Sequence, residues 1–176
     1  MASLFGHALA SIAIAKGFVK IKKAIQFWFL AIFCAVLPDA DVISFKLGIP
    51  YASFWGHRGF SHSIVFALII GYLIAYFFYR KKSFYSYFLF FSLATLSHSL
   101  LDAMTTGGLG VAFLSPFENS RYFFPWRPIK VSPIGIENFF SARGLAVLKS
   151  EFIWIGLPSF VFMIVIKFFK KKADDT

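Results

Sequence analysis

Long apolar runs separated by short polar or basic segments dominate this chain. In lipid every backbone polar group must be bonded internally, which favours helix even in runs rich in Val, Ile and Phe. The last run contains Pro158, which we expect to kink its helix rather than break it. The first run is shorter than the roughly 20 residues that a membrane-spanning helix needs. The five runs cover residues 2–16, 24–37 (continuing past Pro38 toward Phe45), 62–79, 84–104 and 152–169.

Composition supports a membrane protein. Of the 176 residues, 59% are hydrophobic and 26 are Phe, whereas soluble domains average about 45–50% apolar residues. The pattern predicts an all-α, polytopic helical membrane protein with about four to five transmembrane helices, folded as a single domain over residues 1–176. Cys34 stands alone in an apolar run, which excludes a disulfide framework or a cysteine-based metal site.

The formal net charge of +10 would suggest nucleic-acid binding in a soluble protein. Here the basic residues lie at the ends of apolar runs, and no helix-turn-helix or zinc-finger spacing is present, so we expect no nucleic-acid partner. If all five runs cross, three basic clusters share one side, which the positive-inside rule assigns to the cytoplasm. These clusters are Lys20, Lys22 and Lys23; Arg80, Lys81 and Lys82; and Lys170, Lys171 and Lys172.

The orientation places residues 107–150 outside, as a long structured loop rich in proline and aromatic residues. Such a loop is typical of an interfacial aromatic belt or of a lid over a site. The same alternation brings every histidine, together with three aspartates, toward the outer face of a cell (inner, cytoplasmic) membrane. Ionisable groups near lipid cost up to roughly 3 kcal/mol each, so their clustering indicates function. The residues are His7, Asp39, Asp41, His57, His62, His98 and Asp102.

His98 and Asp102 are four residues apart on a predicted helix, so both project from one face and can bind one ion. Asp39 and Asp41 follow Pro38, which bends or ends the preceding helix. Two carboxylates so close repel each other unless a cation lies between them, although both could instead cap a helix-terminal turn.

His57 and His62 are five residues apart and do not share a helix face. Glycines before and after His57 suggest a bend that turns both imidazoles toward a common point, with Ser61 as the predicted N-cap of the third helix. Arg58 between them could bind a substrate anion or neutralise a nearby aspartate. His7 is the weakest candidate, because a lone histidine on a short apolar helix could be buried and inert.

Nitrogen and oxygen ligands without thiolate favour zinc first, then manganese or iron. Four imidazoles and three carboxylates exceed the needs of one ion, so we expect either two metals or a division into ligands, general bases and orienting groups. A metal that lowers the pKa of water would supply a hydrolytic nucleophile. No Walker loop, dinucleotide-binding glycine motif, Gly-x-Ser-x-Gly elbow or His-Glu-x-x-His occurs in the chain.

Several motifs together resemble the YdjM/YbcI-type inner-membrane proteins. They are Leu-Pro-Asp-Ala-Asp at 37–41, His-Arg-Gly-Phe-Ser-His-Ser at 57–63, His-Ser-Leu-Leu-Asp at 98–102, Thr-Thr-Gly-Gly at 105–108 and the Pro-Phe-Glu-Asn-Ser-Arg-Tyr-Phe-Phe-Pro stretch at 116–125. The resemblance covers roughly residues 5–135. It implies a membrane-bound, metal-dependent hydrolase, in a family of which some members are tied to LexA and the DNA-damage response. It also implies metal or active-site roles for His7, Asp39, Asp41, His57, His62, His98 and Asp102.

The first hypothesis is a hydrolase that uses a divalent metal ion to activate water against an ester, phosphoester or amide. We expect a lipid-like or anionic substrate, because the site opens where lipid headgroups lie. The predicted catalytic residues are Asp39, Asp41, His57, Arg58 and His62, and the predicted substrate-binding residues are Arg58, Arg121 and Arg127. A divalent-cation transporter or channel could use the same ligands, but transporters usually bind near the midplane between repeated halves. A structural metal clamp is the third hypothesis.

Overall fold

The computed structural model describes residues 1–18, 24–81, 83–133 and 136–174, without the side chains of 136, 137 and 171–174. Within these residues the protein is all-helical, with two isolated β-bridges and no strand. Lys20, Lys22, Lys23 and Lys82 of the predicted basic clusters lie outside the described residues. The helices are α1 (Leu4–Gly17), α2 (Ile25–Val36), α3 (Ile43–Lys46), α4 (Ile64–Tyr79), α5 (Phe84–Ala103), α6 (Ile136–Phe139), α7 (Ala142–Glu151) and α8 (Leu157–Asp174).

All five predicted apolar segments are helical, and three helical stretches are long and apolar enough to cross a membrane. A 3₁₀ turn at Leu37–Val42 joins α2 to α3, so the stretch Ile25–Lys46 is one continuous rod. The other two are α5 and Ala142–Lys170. With 14 and 16 residues, α1 and α4 rise about 21 Å and about 24 Å against about 30 Å of hydrocarbon.

The last long helix begins earlier than the hydrophobic pattern predicts. Residues 107–150 were expected to form an outer loop, but α7 is helical from Ala142 and continues through a π-helical segment, Phe152–Gly156, into α8. The prediction of loop over 142–150 is therefore wrong. Arg143 and Lys149 make α7 too polar to be recognised as part of an apolar run. The helix continues through Pro158, as expected.

Small residues let α4 and α5 pack closely. Ala67, Gly71 and Ala75 recur every four residues along α4 and are buried. A Cβ atom built on Gly71 would lie 2.0 Å from Ser92 Oγ and 2.6 Å from the Ser92 backbone nitrogen on α5. Such small-residue stripes allow helix backbones to approach in lipid, where packing rather than the hydrophobic effect drives association.

An aromatic core fills the end of the bundle opposite the histidines. Phe27 of α2 packs against Phe90 and Phe91 of α5, with ring centroids 4.8 Å and 5.7 Å away. Cys34 is buried in the same cluster. Helix α5 contacts α1, α2 and α4, and it therefore forms the axis from which His98 and Asp102 project.

Candidate metal centre

The predicted histidine and aspartate clusters meet at one end of the bundle. Two groups form in which one ligand atom from each residue lies within 4.8 Å of the others. His62 belongs to both groups, so the two are contiguous. The first group is Asp39, His62, His98 and Asp102, and the second is Asp41, His57 and His62.

Three local structures bring these side chains together. His98 and Asp102 lie on the last two turns of α5, on one face as their spacing predicts. Asp39 and Asp41 lie on the 3₁₀ turn Leu37–Val42, which starts where Pro38 follows α2. Because that turn is helical, the two carboxylates diverge and each joins a different group.

The segment before α4 contributes His57 and His62. Ser63, not the predicted Ser61, is the N-cap of α4, and its Oγ accepts a hydrogen bond from the Phe66 amide at 3.0 Å. Ser61 instead donates to Asp41 Oδ2 at 2.5 Å. The N-cap prediction is wrong because both serines precede the apolar run and only the folded chain decides which one starts the helix.

Contacts between Nδ1 and an oxygen acceptor orient the imidazoles of His62 and His98 toward a common point. His98 Nδ1 lies 2.7 Å from the Ala35 carbonyl oxygen, which can only accept, so Nδ1 carries the hydrogen. His62 Nδ1 lies 3.1 Å from Asp41 Oδ2. Each ring therefore presents Nε2 to the first group, and the two Nε2 atoms are 3.1 Å apart. Such an outer hydrogen bond is typical of metal-binding histidines.

Two buried carboxylate oxygens face the same point. Both Asp39 Oδ1 and Asp102 Oδ2 are buried and accept no well-oriented hydrogen bond from the described residues, although Arg58 Nε forms an ion pair with Asp102 Oδ2 at 2.9 Å. Asp39 Oδ1 lies 3.2 Å from His98 Nε2, and Asp102 Oδ2 lies 3.7 Å from His62 Nε2. Unsatisfied buried acceptors of this kind are costly. A cation among them satisfies all four atoms, so these residues fit a divalent metal ion.

Protonation of His62 reflects the same electrostatics. Burial alone lowers the pKa of this imidazole, but hydrogen bonds to Asp102 and Asp41 outweigh burial and raise the pKa of His62 to about 9. A proton on Nε2 takes the place among the surrounding carboxylates that a metal cation would take.

Asp41 differs from Asp39 in that its oxygens are already satisfied. His57 Nδ1 lies 2.6 Å from Oδ1, while the Arg58 amide and the Ser61 hydroxyl donate to Oδ2. His62 Nδ1 is also adjacent. A carboxylate with this many donors orients imidazoles more effectively than it binds a metal. The geometry therefore favours Asp41 as an orienting group for both histidines.

Arg58 is fully buried and pairs with Asp102. Its Nε lies 2.9 Å from Asp102 Oδ2, and its terminal nitrogens donate to the Gly107 carbonyl and to Thr105 Oγ1. It thus neutralises an aspartate, one of the two roles that the sequence left open. Its φ of 62° is unusual for a residue with a large side chain, and such strain persists only where the surroundings enforce it.

The other two arginines expected to bind substrate have separate environments. Arg121 donates to the carbonyls of His57, Tyr51 and Ser53 and so fixes the histidine-bearing segment, and burial lowers its pKa. Arg127 is exposed, with its guanidinium 4.6 Å from the Phe123 ring centroid. Substrate binding by Arg58, Arg121 and Arg127 stays a prediction.

His7 lies against the centre without joining either group. Its buried ring stacks on His98 at a centroid distance of 3.7 Å, and Nε2 is 3.5 Å from Asp102 Oδ1. Neither ring nitrogen has a hydrogen-bond partner among the described residues. Helix α1 therefore brings His7 to the site, while metal binding by His7 stays a prediction.

The sequence did not reveal two supporting contacts. Glu151 of α7 is buried and accepts hydrogen bonds from the Ser3 hydroxyl and amide at the start of α1, which ties α7 to the helix that carries His7. The Ala35 carbonyl that orients His98 is a buried backbone group in the last turn of α2, and a backbone group cannot be recognised from residue type. A charged residue just before an apolar run was the one available signal for Glu151.

The fold and the cluster define a helical membrane protein with a buried histidine–aspartate centre at one end of its bundle. The chain belongs to the YdjM inner membrane protein family, whose sequence model matches residues 1–173. It is 39% identical over 165 residues to "Inner membrane protein YbcI" of Escherichia coli (strain K12), covering 93% of this chain and 95% of that protein. No solved structure matches the chain.

Proposed function

We propose that this protein is a membrane-bound, metal-dependent hydrolase. The observation that carries the proposal is the first group of ligands, in which two imidazole nitrogens and two carboxylates converge in a largely buried setting. Asp39, His62, His98 and Asp102 would hold the ion. This mixture of nitrogen and oxygen ligands suits zinc first, then manganese or iron. A divalent ion bound there would lower the pKa of a water molecule and supply a nucleophile near neutral pH.

His57 is the candidate general base. Its hydrogen bond to Asp41 occupies Nδ1, which leaves Nε2 to accept a proton. Asp41 holds the ring in that tautomer and stabilises the protonated imidazole. Arg58 positions both parts of the site, because its amide donates to Asp41 and its guanidinium pairs with Asp102. In this assignment Asp41 and Arg58 act through the residues they position.

The location of the site supports a substrate that reaches it from the membrane surface. The ligands lie toward the ends of helices rather than at their midpoints, which supports a centre near one face of a bilayer. By the positive-inside rule this is the outer face of the inner membrane. An ester, phosphoester or amide in a lipid-like molecule is the substrate class that this depth favours.

Metal content tests the proposal first. Protein purified in mild detergent without chelators should contain near-stoichiometric metal, and the double variant His98→Ala/Asp102→Ala should lose it. Ser97→Ala is a matched control, because Ser97 neighbours His98 on α5 and its hydroxyl donates to the Ala94 carbonyl of the same helix. Metal-free wild-type protein would overturn the proposal.

Turnover and transport then separate the hydrolase from its rivals. The metal-loaded protein should hydrolyse at least one member of a panel of esters, phosphoesters and amides, and the double variant should not. A transporter would instead move the bound cation across proteoliposomes without hydrolysis. Bound metal with neither turnover nor flux would indicate a structural clamp and would contradict the proposal.

A further inference from the structure

A cavity of about 590 Å³ lies beside the metal centre. Its wall includes His57 and Arg58, the two residues that link it to Asp41 and Asp102. Pockets for small ligands typically measure about 300–1,000 Å³, so this one holds more than a water cluster. It is therefore the natural place for the substrate of the adjacent centre.

The charged side chains among the described lining residues of the cavity are basic. Arg58 and Arg143 both line it, and the described lining residues include no Asp or Glu. Arg58 is matched by Asp102, whereas no described carboxylate pairs with Arg143, which is exposed at the start of α7. Among the described residues, Arg143 is thus a cation of this wall without a carboxylate partner. Arg143 is not among the arginines that the sequence analysis predicts to bind substrate.

The remaining wall combines polar and apolar residues. Ser132, Asn138 and Ser141 contribute polar side chains. Gly108 lies at φ +90°, and a Cβ atom there would stand 2.7 Å from both Arg58 Nη1 and the Tyr51 hydroxyl. Any larger residue would occupy the space between these two groups and would also strain the backbone. A glycine at this position keeps that part of the wall open.

We infer that this cavity binds the phosphate group of a phosphate monoester, with Arg143 as the principal anion-binding residue. The inference rests on the proposed function and names its substrate class. A guanidinium matches phosphate oxygens with paired hydrogen bonds, and a doubly charged anion suits a wall that has cations and no described carboxylate. The phosphate can belong to a lipid headgroup such as phosphatidate or to a soluble ester.

The reaction for such a substrate is balanced without a further reactant. The oxygen of water bonds to phosphorus, and the ester bond between phosphorus and oxygen breaks. One proton of water passes to the leaving oxygen, which gives the free alcohol, and the other remains with inorganic phosphate. His57, which lines the cavity and is hydrogen-bonded to Asp41, is positioned to move that proton.

Calorimetric binding to the purified full-length protein tests the inference. Phenyl phosphate should bind, whereas benzoate, a singly charged carboxylate with the same ring, should bind more weakly. Arg143→Gln should weaken phenyl phosphate binding about tenfold to a hundredfold, as expected for loss of a charged hydrogen-bonding partner. The affinity of Arg143→Lys for phenyl phosphate should lie between those of the wild type and Arg143→Gln, because lysine keeps the charge and loses the paired hydrogen-bond geometry.

Lys149→Gln is the matched control. Lys149 is on the same helix, is also exposed and does not line the cavity, so its loss should leave binding unchanged. Equal affinities in the Arg143→Gln and Lys149→Gln variants would overturn the inference, as would preference for benzoate. Dihexanoyl phosphatidic acid, with dihexanoyl phosphatidylcholine for comparison, identifies the source of the phosphate group. Tighter binding of the phosphatidic acid than of phenyl phosphate supports a lipid headgroup. Tighter binding of phenyl phosphate supports a soluble ester.

Failure of the inference is distinguishable from failure of the proposed function. Only the inference would be overturned if metal binding depends on His98 and Asp102 but phosphate binding is unchanged in Arg143→Gln. Phosphate binding that depends on Arg143 in protein that holds no metal would support the anion site and overturn the hydrolase.

Discussion

The Nε2 atoms of His62 and His98 lie 3.1 Å apart, each with its opposite ring nitrogen engaged by an oxygen acceptor. This separation suits two nitrogens that share a proton or that bind one metal ion. Asp39 Oδ1 lies 3.2 Å from His98 Nε2, and Asp102 Oδ2 lies 3.7 Å from His62 Nε2. The relationship between these two rings is therefore the core of the candidate metal centre.

Asp41 and Asp39 should respond differently to removal of charge. Asp39→Asn should abolish metal binding, because it removes a predicted ligand. Asp41→Asn should weaken metal affinity by about tenfold to a hundredfold, the usual effect of losing a group that orients a ligand. Competition with a chromogenic chelator measures both affinities.

Ser97→Ala is the control for that comparison, because the Ser97 hydroxyl donates to the Ala94 carbonyl of its own helix. Equal losses in Asp39→Asn and Asp41→Asn would identify Asp41 as a direct ligand. Unchanged affinity in Asp41→Asn would contradict its orienting role.

Arg58 should be essential for folding stability. Arg58→Gln leaves Asp102 buried without its charged partner, and breaking a buried pair in this way typically costs about 3–5 kcal/mol. We expect a markedly lower unfolding temperature in detergent, measured in metal-free protein so that metal loss does not contribute. Arg127→Gln, which removes an exposed arginine, should unfold near the wild-type temperature, and similar unfolding of both variants would refute the importance of the buried pair.

The α4–α5 contact should not tolerate a side chain at Gly71. A Cβ atom there would meet the backbone nitrogen of Ser92 at 2.6 Å, so Gly71→Ala should force the helices apart and cost about 1–3 kcal/mol. Gly17→Ala is the matched comparison, because its Cβ would make only an ordinary contact, 3.6 Å from Phe162. Thermal unfolding of the two variants should therefore differ, and equal stability would show that α4 and α5 pack less tightly than described.

Glu151 should stabilise the junction of α1 and α7. Glu151→Ala removes the acceptor for both the amide and the hydroxyl of Ser3, and leaving buried donors unpaired costs about 1–3 kcal/mol each. The expected result is faster proteolysis near the start of α1 together with a lower unfolding temperature. Glu151→Gln, which retains an acceptor oxygen, should lose less stability than Glu151→Ala; the opposite order would contradict the hydrogen-bonding role.

The hydrophobic pattern alone predicted a helical membrane protein, because apolar runs in lipid have no alternative to internal hydrogen bonding. The spacing of His98 and Asp102 was sufficient to place both on one face of α5. The hydrophobic pattern was not sufficient to locate the start of the last long helix at Ala142, since α7 contains polar residues. A pattern of apolar runs detects segments that are apolar enough to lie in lipid, and α7 escapes detection because it is not uniformly apolar.

The sequence by itself determined which residue types could bind a metal and that they lie toward one end of the helices. Only the tertiary structure decided that Asp39 and Asp41 belong to different groups and that Arg58 pairs with Asp102. It also decided that His98 is oriented by the Ala35 carbonyl. These assignments depend on hydrogen-bond partners that lie far away in the chain. A residue's spacing predicts which face of its own helix it occupies, whereas its role in the site is decided by groups that other helices bring to it.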